Sequence, residues 1–199
     1  ICLESLKKNS ILDNEVIIHV NEGNDETFQY IKDNNYLYTF SERKLGLCSS
    51  VNKASKKSTK DFIIYAHDDM YFCPNWDVAL LDEVNSLDHN FYYFSGTMIE
   101  QKSAHISYDC GKGYEDFDEI KLLTNYDKLQ YYNHQGSHFA PHLVHKKLWN
   151  KVNGFSVEFN PGIGSDPDFN MKLWNENVRI FKGINKVRLY HFSSIRTRI

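Results

Sequence analysis

The sequence predicts an α/β fold, with helices on both faces of a mainly parallel central sheet. Three observations predict it. Strand-like and helix-like segments alternate through the first half of the chain. The run "DFIIYAH" (61–67) is apolar without alternation, as in a strand covered on both faces. No internal repeat or low-complexity linker divides the 199 residues, so a single domain with its own core is expected.

The elements follow in order. "ICLESLKKN" (1–9) has helical apolar spacing, and "EVIIHV" (15–20) is a strand. "DETFQYIKDNN" (25–35) opens on acids, as a first helical turn should, and keeps Phe28 and Ile31 on one face. "YLYTF" (36–40) is a second strand. Gly46 leads into a helix at "LCSSVNKASKKS" (47–58), and 61–67 is the third strand. Pro74 precedes the helix "NWDVALLDEVNSL" (75–87). "FYYFSGTMI" (91–99) is a strand, and 100–116 is a loop with Gly111 and Gly113. "HFAPHLV" (138–144) is a strand interrupted by Pro141, and "HKKLWNKVNGF" (145–155) is a helix stopped at Gly154. A glycine loop enters another helix at "PGIGSDPDFNMKLWNEN" (161–177). "VRIFKG" (178–183) and "KVRLYHF" (186–192) are two final strands.

Charge and composition narrow the function. A formal charge of -3 argues against a broad nucleic-acid footprint, which needs a basic surface. The basic run 52–60 reads as a solvated helix face. Cys2, Cys48, Cys73 and Cys110 form no CxxC pair, which suggests free thiols in a reducing compartment. No apolar run approaches the roughly 18 residues of a membrane span. The chain opens on Ile1 in what resembles the middle of a helix, so a fragment trimmed at its N-terminus is expected.

The chemistry concentrates in two places. Asp68 and Asp69 follow the buried-strand pattern, and ligands of open α/β sheets bind beyond the carboxyl ends of strands. Adjacent carboxylates there call for a positive partner such as a divalent cation, the competing reading being an Asp-rich turn. Neighbouring residues of an extended chain point opposite ways, so the two acids have different tasks. His67 either supports the metal shell or merely ends the strand. The second place is "GIGSDPDF": Pro167 suits a first helical position, making Asp166 an expected N-cap. Capping does not account for the glycines or for Asp168. Asp166 and Asp168 do not share a helix face, so at most one should touch a reacting group.

With these pieces together the chain resembles glycosyltransferase family 2, with its GT-A nucleotide-sugar-binding fold. The matching segments are "EVIIHVNEGNDET", "KLGLCSSVNKAS", "FIIYAHDDMYFCPNWDVALLDE", "KKLWNKVNGF", "GIGSDPDFNMKLW" and "VRLYHF", in the family's order and over nearly the whole chain. The family's opening strand would lie before Ile1. The resemblance implies that 1–95 is the nucleotide-sugar-binding half and 96–199 the acceptor side. It implies a metal held by Asp69 and His191, with Asp68 near the ribose or the metal shell, and Asp166 as the base that deprotonates the acceptor hydroxyl. "VNEGND" corresponds to the loop that meets the nucleobase, placing Asn21 and Glu22 on the donor, although the family usually has Asp where Asn21 stands. Lys44 and Asn52 fall in the segment lining the nucleotide side.

The expected activity is metal-dependent, inverting hexosyl transfer from a nucleotide-diphosphate sugar to a glycan, lipid-linked or protein acceptor, with Mn²⁺ or Mg²⁺ as cofactor. One cation against the leaving group and one separate base suffice for a direct displacement. A non-catalytic module binding a glycan or protein is the alternative, and a nucleotidyltransferase is a third reading that lacks its phosphate loop here. A cytoplasmic place is expected, or a peripheral one at a membrane. Trp76, His138 and Asp168 are acceptor-side candidates, with a core position the competing reading for Trp76 and Trp149. His134, His138, His142 and His145 would form a metal face on a helix, but Gly136 and Pro141 break one, so no zinc is expected. Arg196 and Arg198 either clamp the diphosphate or belong to a frayed end.

Overall fold

The computed structural model describes residues 1–23, 26–102 and 105–192. A parallel pair, β1 (Ile17–Asn21) and β2 (Leu37–Ser41), is joined through helix α2 (Glu26–Asp33). Helix α1 (Cys2–Asn9) precedes them and α3 (Leu47–Ser55) follows. The main sheet has seven strands: β3 (Phe62–Tyr65), β4 (Met70–Phe72), β5 (Tyr92–Glu100), β6 (Ile106–Ser107), β7 (His134–Gln135), β8 (His142–His145) and β9 (Ile180–His191). Between them lie α4 (Trp76–Asn85), α5 (Glu119–Asn125), α6 (Lys146–Lys151), a 3₁₀ turn (Val157–Phe159) and α7 (Ser165–Asn175).

The α/β class is as expected, but the sheet is mixed rather than mainly parallel. Its order is β3-β8-β5-β9-β4, and only β5 with β9 and β5 with β6 pair in parallel. β8 runs antiparallel to both β3 and β5, and β4 antiparallel to β9. The 61–67 run therefore ends a ladder instead of occupying its centre. Ile63 and Tyr65 of β3 are buried whereas Phe62 and Ile64 are half-buried, so one face is fully covered and the other only in part, and an apolar run carries no information about strand direction. The central strand is β5, where Tyr92, Tyr93 and Phe94 are fully buried between β8 and β9.

The two final strands are one. β9 runs unbroken from Ile180 to His191, but its register against β5 jumps between Ser95↔Gly183 and Thr97↔Arg188. Residues 184–187 bulge there, and Thr97 Oγ1 donates to the Ile184 carbonyl at 2.8 Å. A bulge breaks the period-two pattern and so reads as a strand end. The bulge matters because it sets which residue of β9 reaches the top of the sheet. β4 then pairs Met70 with His191, and the Phe192 amide donates to the Asp69 carbonyl at 3.0 Å. The turn carrying Asp68 and Asp69 is thereby fastened beside the end of β9.

Candidate active site

The turn after β3 does two things with its two acids. Asp68 is exposed, whereas Asp69 turns inward, its side chain 16% accessible. His191 Nε2 lies 3.3 Å from Asp69 Oδ1, and His67 Nδ1 lies 3.8 Å from the same oxygen. One ligand-capable atom from each of His67, Asp69 and His191 falls within 4.8 Å of the others, the one such group among the described residues. The reason is the β4–β9 register, which brings chain positions more than a hundred residues apart to one corner.

A fourth residue holds that corner. Glu100, at the end of β5, accepts from His191 Nδ1 at 2.6 Å with a side chain only 12% accessible. This bond leaves Nε2 pointing at Asp69. A carboxylate on the far nitrogen fixes a ligating histidine's orientation and raises its basicity. Burial alone would lower the pKa of His191, but the bonds to Asp69 and Glu100 outweigh it and raise it. Burial lowers that of His67 against the pull of Asp69. The strand expected over 91–99 extends by one residue, and that residue, Glu100, is part of the site though its position in the sequence does not single it out. A lone acid closing a buried strand was the available signal, weaker than the pair of acids that includes Asp69.

His67, Glu100 and His191 line a cavity of about 440 Å³ together with Met70, Met98, His105, Phe139, Ala140 and Asp166. Asp166 is placed there by the start of α7, though not as its cap. Gly164, at φ 86°, is the N-cap, and a Cβ on it would meet Phe159 at 3.0 Å. The helix thus starts earlier than Asp-Pro suggests, with Asp166 and Pro167 both inside its first turn. Pro167 is tolerated because first-turn amides have no intrahelical partner. Asp166 Oδ1 is buried with no hydrogen-bond partner among the described residues, and burial pushes its carboxyl up to about 6. A carboxyl near pH 6 can both lose and regain a proton at neutrality. The glycines of "GIG" serve packing: what approaches them is Leu47 and Phe159.

The remaining candidates separate. Asp168 accepts from Ser156 Oγ at 2.6 Å and does not line the cavity. Asn52 donates to the Phe155 carbonyl at 2.7 Å and accepts from its amide at 2.9 Å, so its amide clips α3 to the 155 loop rather than standing open for a donor. Trp76 is 3% exposed, its ring 4.7 Å from that of Phe72 and its Nε1 bonded to Ser10. That is a core position, as an indole at the first turn of a buried helix requires, and Trp149 is buried likewise. Asn21 Oδ1 accepts from the Leu45 amide at 2.8 Å at the end of β1, while Glu22 and Lys44 are exposed. None of these three lines the cavity shared by His67, His191 and Asp166.

The histidine-rich segment disperses. His142 is buried against Phe169 with Nδ1 3.0 Å from the Tyr93 hydroxyl, and burial lowers it to about 3. His145 caps α6 by accepting from the Lys147 amide. The His138 ring lies 4.2 Å from that of Phe139, tilted by 31°, and its interaction with Asp166 opposes the upward shift of that carboxyl. The four cysteines are free. Arg196 and Arg198 lie outside the described residues, and no helix among those described is long and apolar enough to cross a membrane.

Solved structures share this architecture. GalNAc-T7 with UDP, GalNAc and Mn²⁺ superposes at a TM-score of 0.69 over 96% of this chain and 40% of its own, at 13% identity. Residues 1–349 of S. aureus TarS with UDP superpose at 0.64 over 95% of this chain and 54% of theirs, at 16% identity. The chain therefore has a GT-A glycosyltransferase fold and spans about half the length of such structures. No curated protein matches it. The family model for "Glycosyl transferase family 2" matches residues 1–150. The chain belongs to glycosyl transferase family 2.

Proposed function

We propose that the protein transfers a hexosyl group from a nucleotide-diphosphate sugar to an acceptor hydroxyl in one inverting displacement. The observation that carries the reading is one cavity lined by His67 and His191, which both face Asp69, and by Asp166, whose Oδ1 is buried without a hydrogen-bond partner among the described residues. UDP is the nucleotide to test first, because GalNAc-T7 and TarS bind it.

Two imidazoles and one carboxylate suit a borderline cation, so the corner favours Mn²⁺ over Mg²⁺, which prefers oxygen ligands. His67, Asp69 and His191 would hold it, with Glu100 behind His191. Such an ion, when bound, neutralises the charge of a departing diphosphate. The protein's own contribution is the proton. Asp166 takes it from the acceptor hydroxyl as that oxygen bonds to the anomeric carbon and the bond to the phosphate oxygen breaks. Asp168 is no substitute, since Ser156 occupies it outside the cavity.

Two variants test the division of labour. Asp166→Asn should lower turnover about a hundredfold or more with donor affinity nearly unchanged. Asp69→Ala should weaken metal-dependent nucleotide binding and turnover together. Near-normal turnover in Asp166→Asn sinks the role given to Asp166.

A further inference from the structure

One wall of the cavity has no part in the corner around Asp69. It is built by Met98, His105 and Phe139. The Met98 amide donates to His105 Nδ1 at 3.0 Å. A backbone amide can only donate, so Nδ1 is the bare nitrogen and the neutral ring carries its hydrogen on Nε2. Burial, reinforced by His134 and His138, holds the ring down at about 4, so it is neutral at physiological pH. His105 Nε2 is buried and has no partner among the described residues. Two residues that line the cavity thus each carry one unmet polar atom among the described residues, the donor Nε2 of His105 and the acceptor Oδ1 of Asp166. Buried polar groups without partners are uncommon, and each asks for an occupant.

We propose that His105 positions the donor sugar: its Nε2–H donates to an oxygen of the hexose carried by the nucleotide, whose C–H face lies toward Phe139. The inference rests on the nucleotide-sugar reading of the site. The sugar is bonded directly to the diphosphate, so a diphosphate held at the Asp69 corner leaves its sugar in the adjoining space that His105 lines. The internal competitor is His134, whose ring lies 4.9 Å away and whose Nδ1 is also buried without a partner among the described residues. If that pair satisfied itself, His105 would serve the fold alone.

Two substitutions separate the nitrogens of the ring. In His105→Asn the Oδ1 can still accept from the Met98 amide, while the distal donor is gone. In His105→Gln an N–H stands at the distance of Nε2, while the acceptor for Met98 is lost. The measurement is calorimetric binding, with Mn²⁺, of UDP and of the tightest of UDP-Glc, UDP-Gal, UDP-GlcNAc and UDP-GalNAc, beside a thermal melt. His105→Asn should leave UDP affinity unchanged and weaken the UDP-sugar about five- to tenfold, the worth of one neutral hydrogen bond. His105→Gln should bring sugar affinity back to within about twofold while lowering the melting temperature. A sugar-to-UDP affinity ratio unmoved by His105→Asn, or unrescued by His105→Gln, overturns the proposal and leaves the glycosyl-transfer reading standing. Wild-type protein that binds UDP but none of the four sugars overturns the proposal, and wild type that binds no nucleoside diphosphate with Mn²⁺ overturns both.

Discussion

A carboxyl poised near pH 6 is a base only in solution more basic than that. Burial puts Asp166 there, and two measurements follow. The kcat/KM of transfer should fall as pH drops through about 6, the limb moving if another group is the base. Stability should move the other way. The folded carboxyl binds its proton more tightly than the unfolded one at 3.8, so its contribution is fully present below 3.8 and lost as pH rises through about 6. Asp166→Asn removes that loss. It should be more stable than wild type on the order of 1–2 kcal/mol at pH 7.5, a figure discounted because the group is only half-buried, with the gap closing below about pH 4. Urea denaturation at the two pH values checks the sign. Glu100 makes a second claim at this scale, since its carboxylate holds His191 Nδ1. Glu100→Gln keeps the shape and drops the charge, and should weaken Mn²⁺ binding about tenfold by calorimetry. Equal affinity in both proteins would reduce Glu100 to a packing residue.

Elements are tied to one another by residues that look, in sequence, like ligand contacts. Asn52 is the clearest, because its amide satisfies both backbone groups of Phe155 and so joins α3 to the loop leading toward α7. Asn52→Ala should cost about 2–3 kcal/mol of stability by leaving both groups unmet. Nucleotide affinity of the folded variant should not change; a loss of affinity at full stability would return Asn52 to the donor side. The same ambiguity set the limit on what could be read beforehand. As candidates, Asp69 and Asp166 were legible because each sits where an apolar run ends or a helix begins, and His191 through the family resemblance of "VRLYHF". Glu100 was not, because one acid after "TMI" is weaker punctuation than two after "YAH". His105 was invisible, since its role comes from a bond to an amide seven residues back that no periodicity reports. Helices α4 and α7 were legible from their length and spacing. β4, β6 and β7, of three, two and two residues, are too short to show a period, and nothing in an apolar run states the direction of its neighbour.

The whole molecule meets at the corner it builds. Asp69 comes from the turn before β4, Glu100 from the end of β5, His191 from the end of β9 and Asp166 from the first turn of α7. Unfolding scatters these groups along more than a hundred residues, so an ion bound by His67, Asp69 and His191 discriminates strongly between folded and unfolded chains. Such a ligand stabilises by mass action, about 2.7 kcal/mol at a hundred times its dissociation constant. For a domain of this size that amounts to about 5–10 °C in melting temperature. Mn²⁺ should therefore raise the melting temperature by that amount, and a chelator should return it to the starting value. Asp166→Asn should show the full shift, because Asp166 is not one of the three residues grouped to hold the ion. Glu100→Gln should show a smaller shift at the same free Mn²⁺, following its weaker affinity. Asp69→Ala should show none, since it removes the oxygen that both histidines face. A full shift in Asp69→Ala would mean that the ion binds elsewhere on the molecule, and the corner would then be a hydrogen-bonded junction between β4 and β9.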